Sequence, residues 1–222
     1  AYLNFSSTLS AVDIPVGGSK YVYMKVEAAS QDDLSTFEKI KAKGYKFSVI
    51  PAFRADKIMN IDAEKYLEFL GNLEALTHKI STIDDLECAL EKRLKAFIEV
   101  GARASDIALE AVYKIPEKAD ADEVLKRVIA GGKPSEADTE CFKGYLTYFL
   151  MSLYAKYDIV TELHMGAMRN NNTVMLKKLG LDTGFDSISE DNSIKMMSRL
   201  FDRLDGEGCL PNTIVFNLNP KM

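Results

Sequence analysis

The sequence predicts an α/β protein built on a mainly parallel sheet. Strand-like segments alternate with helix-like ones about five times along the chain. Several of those strands end on polar residues (Arg54, Asp106, His164, Arg169 and Asn219), the pattern expected where parallel strands share one functional edge. The 222 residues, 47% hydrophobic and 27% charged, are enough for one sizeable core.

The elements follow in order. Residues 21–28 (YVYMKVEA) alternate large apolar with polar side chains and read as a strand. Residues 34–43 carry Leu34, Phe37 and Ile40 at helical spacing, and Gly44 stops them. Residues 46–53 (KFSVIPAF) form a second strand, whose ladder Pro51 should end. Asp62 is placed to cap a helix running to Leu76. Ser81 with Asp84 has the spacing of a capping box for a helix through Ile98. Residues 101–107 (GARASDI) suggest a short buried strand. Helices are expected over 120–129 and 135–157, parted by Gly131-Gly132-Lys133-Pro134. The second of these is apolar enough to pack on a sheet. Residues 159–167 (IVTELHMGA) make the clearest strand, followed by an asparagine-rich loop, a helix over 193–204 and a last strand at 213–218. Residues 1–20 fit this pattern poorly, and Gly17-Gly18-Ser19 reads as a loop or linker. The expected organisation is thus an unmatched segment, 1–20, and one domain, 21–222.

A formal charge of -5, with no run of lysines or arginines, argues against a nucleic-acid partner. No apolar stretch reaches the roughly 20 residues of a membrane helix, and no signal peptide is visible. Cys88, Cys141 and Cys209 are few, odd in number and widely spaced, as suits reduced thiols in a cytoplasm.

One stretch stands out, Thr161 to Thr173 (TELHMGAMRNNNT), where a strand ending in His-x-Gly-Ala runs into three asparagines. Their carboxamides suit a polyhydroxylated ligand; a plain turn is the better reading of composition alone, because asparagine tolerates left-handed backbone. The stretch resembles the LHIGALRNNNT motif of the glucuronate (uronate) isomerase family. Four further segments agree in order: residues 50–57 (IPAFRADK), 101–106 (GARASD), 179–188 (LGLDTGFDSI) and 210–220 (LPNTIVFNLNP). The resemblance covers roughly Asp32 to Met222.

It implies a partial (β/α)8, TIM-like barrel of the metal-dependent hydrolase superfamily, with about five parallel strands present. It implies aldose–ketose isomerisation of D-glucuronate to D-fructuronate, and of D-galacturonate to D-tagaturonate, in bacterial hexuronate breakdown. Such a step needs a base, an electrophile and a cation for the sugar carboxylate. By motif, His164 corresponds to the strand-end histidine and is the candidate catalytic residue, while Arg54, Arg169 and Asp106 are candidates for substrate binding. Asp182 and Asp186 suit loop bracing better, and His78 is expected to be solvated. The implied partner is a small-molecule hexuronate, with no membrane, and a homo-oligomer is allowed. The family's divalent metal, zinc or manganese, belongs on a His-x-His pair and a late aspartate that this sequence does not match; where the family reads ASDH, this chain has Ile107. No metal ligand is therefore assigned, and the expectation is that the chain alone is inactive and holds metal weakly. A non-catalytic module that keeps the barrel rim and binds sugar acids or a partner is the alternative. No Gly-rich phosphate loop supports a sugar-phosphate enzyme.

Overall fold

A computed structural model describes residues 21–30, 34–181, 183–189 and 194–219. The expected segment 1–20 and the Asp182 assignment lie outside them. Among the described residues, five parallel strands run in sequence order: β1 (Tyr21–Glu27), β2 (Ser48–Arg54), β3 (Ala104–Ala108), β4 (Val160–Met165) and β7 (Thr213–Asn217). Strand neighbours in space are thus neighbours along the chain, the order of a barrel wall. The connecting helices are α1 (Ser35–Ala42), α2 (Asp56–Met59), α3 (Tyr66–Leu76), α4 (Ile83–Glu99), α5 (Lys118–Ile129), α6 (Glu136–Lys156), α7 (Thr173–Leu179) and α8 (Ile194–Gly206). A separate two-stranded antiparallel pair, β5 (Ala167–Met168) with β6 (Ser187–Ile188), encloses α7. No described helix is long and apolar enough to cross a membrane.

Three helices, α4, α6 and α7, begin where a side chain satisfies one of their first N–H groups. Thr82 and Asp85 form a reciprocal capping box on α4, as Ser135 and Asp138 do on α6. The box on α4 therefore sits one residue later than the Ser81–Asp84 spacing suggested, because Thr82 is the last extended residue. Asp62 does not cap α3, which starts only at Tyr66; a separate short α2 and a turn take up the chain before it. The expected strand 159–167 is broken at Gly166, and the loop after it holds α7, which the sequence reading missed. Pro51 does not end its strand. It pairs with Met24 inside the β1–β2 ladder, and β3 joins β2 only from Ala52 on, so the missing N–H falls just ahead of the second ladder.

Register decides which side chains share a face. Val26, Phe53, Ser105 and Thr161 lie side by side on adjacent strands. This row faces the helices: the Phe53 ring meets Phe97 of α4 edge-on at 5.0 Å and Tyr154 of α6 at 6.2 Å. The expectation that the apolar helix packs on the sheet holds, with nine of its residues buried and seven of those in the hydrophobic core. The next row, Glu27, Arg54, Asp106 and Glu162, points to the opposite face, because successive residues of a strand alternate. On β7, Ile214 and Phe216 continue that face and are 46% and 45% exposed, and α7 buries none of its residues. Such apolar surface on a parallel sheet is ordinarily covered.

Candidate functional site

Four charged residues in one lateral row, three of them carboxylates, are costly to gather unless cations are woven among them. Here they are. Asp106, only 1% exposed, lies at the centre. Its Oδ2 is 2.5 Å from Lys25 Nζ and 2.9 Å from His164 Nε2, and its Oδ1 is 3.5 Å from Arg54 Nη1. Lys25 rises from two residues earlier on β1, and its Nζ is also 3.3 Å from His164 Nε2. His164 lies two residues beyond Glu162 on β4, within 3.9 Å of its carboxylate, and stacks on the Phe216 ring with centroids 4.7 Å apart.

Arg54 is held from the other side. Asp56, the first residue of α2, receives its Nε at 2.6 Å and lies 2.5 Å from Nη2. The other Asp56 oxygen accepts from the Ala108 amide at 3.2 Å, tying β2 to β3. Burial pushes the Asp56 carboxyl up, with Arg54 and these hydrogen bonds opposing it. Burial pulls Arg54 down, but Asp56, Asp106 and Glu27 outweigh that and raise it. The Glu162 carboxyl is raised by burial and then by the Asp106 charge.

Glu27 completes the row, its Oε1 accepting from the Lys57 amide at 3.1 Å. Burial, and then the charge of Asp56, push it from an ordinary 4.5 up to about 8. A carboxyl raised on folding stabilises most below its unfolded value, and that contribution is lost as pH rises through the folded one. Glu27→Gln should therefore flatten the fall in stability between pH 5 and 9. Because the group keeps some contact with water, we expect the variant to exceed the parent by about 2 kcal/mol at pH 9. Urea unfolding across that pH range checks this, and parallel curves for the two proteins would refute it.

The structure thus brings Arg54, Asp106 and His164 together on one face. Arg169 pairs with Asp186, its Nη1 2.7 Å from Oδ2, and it lines an open pocket of about 340 Å³ with Glu110, Tyr113 and Glu140, none of them in the charged row. Asp186 also accepts from the Asn170 amide at 2.9 Å, so it braces the loop as expected. The asparagines are spent on local structure. Asn170 is left-handed at φ 55°, Asn171 bonds Ser187, and Asn172 caps α7 by accepting from Met175 at 3.0 Å. His78, just past the end of α3, is partly exposed, and its Nε2 lies 3.0 Å from the Asp85 carbonyl oxygen.

Lys25, Glu27, Asp56, Glu162 and Phe216 were missed. The signal was available in strand parity: Lys25 and Glu27 alternate on one strand, and Glu162 precedes His164 by two.

A glucuronate isomerase family model matches residues 24–222. The chain belongs to the glucuronate isomerase family. The family match begins earlier than the quoted motifs did and takes in β1 from Met24 on. Among curated relatives, the chain is 42% identical over 203 residues to a uronate isomerase of Caldanaerobacter subterraneus, covering 89% of this chain and 44% of the relative. It is 37% identical over 204 residues to one of Clostridium perfringens, again covering 44% of that protein. The crystal structure of Thermotoga maritima uronate isomerase superposes with a TM-score of 0.82 at 25% identity, over 91% of this chain and 44% of that one. The glucuronate isomerase of Caulobacter crescentus, at 20% identity and a TM-score of 0.80, shows the same fold. The chain therefore spans less than half the length of these relatives, and its five parallel strands are a partial TIM-like barrel.

The family's divalent cation can be tested against the residues present. Asp106, Glu162 and His164 offer two carboxylate oxygens and a ring nitrogen within 4.8 Å of one another, a suitable donor set by type. The Lys25 ammonium, however, sits against two of the three donors. As arranged, the set does not fit a metal ion.

Proposed function

We propose that this chain forms the central part of an aldose–ketose isomerase acting on hexuronates such as D-glucuronate and D-galacturonate. The observation that carries the reading is the row of ionisable groups on the open face, with Arg54 and His164 both reaching Asp106. Moving a proton between C2 and C1 of a uronate requires a group that can hold it between the two carbons. His164 is that group in our reading: it is 31% exposed, oriented by Asp106 and stacked on Phe216, so its ring is held in place at the surface of the site. Arg54 offers a guanidinium for the sugar carboxylate, with Asp56 fixing Nε and Nη2 and leaving Nη1 in only a long contact. Asp106 positions both. Arg169 would act from the loop after β5, on another part of the substrate.

Incubating the protein that contains this chain with D-glucuronate in deuterated water tests the reading. Deuterium should enter at C1 of the ketose as it forms, and Arg54→Met should lower kcat/KM by about a hundredfold or more, chiefly through KM. Neither exchange nor ketose from glucuronate or galacturonate would overturn it. Sugar-acid binding without exchange would select the non-catalytic alternative, which the poor fit of the donor set to a metal favours.

A further inference from the structure

We propose that the Lys25 ammonium is the resident cation of the Asp106–Glu162–His164 pocket, a tethered charge standing where a divalent ion would otherwise bind. Three observations place it there. Nζ is 2.5 Å from Asp106 Oδ2 and 3.3 Å from His164 Nε2, so it contacts the two donors that any ion in the pocket would need most. The carboxylate it neutralises is almost wholly buried, and such a charge is kept only beside a compensating one. Register leaves the position open for it: Ala52 lies beside Lys25 on β2 and Ala104 beyond it on β3, and these small side chains leave room for the lysine to rise to the charged row. An ammonium and a dication cannot share three donors, since the repulsion between them exceeds what either gains. The side chain is 45% exposed, so its removal leaves a solvent-accessible site, not a sealed void.

The lysine thus sets cation selectivity. With it in place, the donor set repels divalent metals; without it, a nitrogen and two carboxylates converge on vacated space. Lys25→Met keeps the length and apolar stem and removes the charge. Titration with Mn2+ by calorimetry, and with Co2+ by its visible absorption, reads the site directly, and neither depends on isomerase activity. We expect Lys25→Met to bind either ion at least about thirtyfold more tightly than the parent chain. His164→Ala added to Lys25→Met should abolish the gain, and Lys25→Arg should bind no better than the parent. Circular dichroism confirms that each variant is folded before titration. Equal affinities for the folded parent and Lys25→Met would overturn the proposal, as would a gain that survives His164→Ala.

Discussion

Replacing Asp106 with asparagine should cost about 2 kcal/mol of folding stability, and replacing it with alanine about 3. The carboxylate is the hub to which Lys25, Arg54 and His164 all turn. Asparagine keeps the volume and removes the charge, so its cost isolates the electrostatic part; alanine adds the loss of packing in a site only 1% exposed. The figures stay below those for a fully buried ion pair because the three partners keep water contact at 45%, 33% and 31% exposure. Arg54 also retains Asp56. The loss should be visible in chemical denaturation at neutral pH. A second signature separates this account from generic damage: the Asp106 charge helps hold the Glu162 carboxyl up, so its titration, followed by NMR, should move down in Asp106→Asn. If the asparagine variant were as stable as the parent and Glu162 titrated unchanged, the hub would have no energetic meaning.

The same hub shows what one sequence can and cannot disclose. Alternating apolar and polar residues made β1 and β4 legible, and the motif around His164 marked the functional edge. Arg54, Asp106 and His164 were named because the sequence reading put each at a strand end, although Asp106 stands in the middle of β3. Lys25 and Glu162 were not, because a charged residue within a strand looks like any solvated position until the neighbouring strands are in register. Pairing of Asp106 with Glu162, and of Glu27 with Arg54, is a property of the sheet. Arg169 shows the converse. Its strand-end position suggested the rim, but Gly166 breaks the strand before it, and Arg169 follows β5 and pairs with Asp186. The three asparagines likewise had local employment that composition could only suggest.

That break is itself a strong determinant of the site, and Gly166→Ala should lower stability by about 3 kcal/mol. Gly166 has φ +81°, where a side chain is strained, and an added Cβ would stand 2.5 Å from Asn217 Oδ1 and 3.1 Å from the Leu218 amide nitrogen. The neighbours cannot readily yield. Asn217 Oδ1 accepts from the Asn219 amide at 3.0 Å, its Nδ2 donates to the Asn219 carbonyl at 3.1 Å, and the Leu218 amide reaches the Met165 carbonyl at 3.3 Å. The Gly166 carbonyl meanwhile accepts from the Ser189 amide at 2.9 Å, which ties it to the end of β6. Alanine must therefore push the end of β7 away from β4, and Phe216 leaves the His164 ring with it. Hydrogen exchange gives the local test, because the amides of residues 215–218 should exchange faster in the variant while those of β2 and β3 change only with global stability. Unaltered exchange at β7 would mean that the close approach does not set the glycine. The glycine next to the histidine motif would then answer to backbone strain alone, and His164 would keep its stack in the variant.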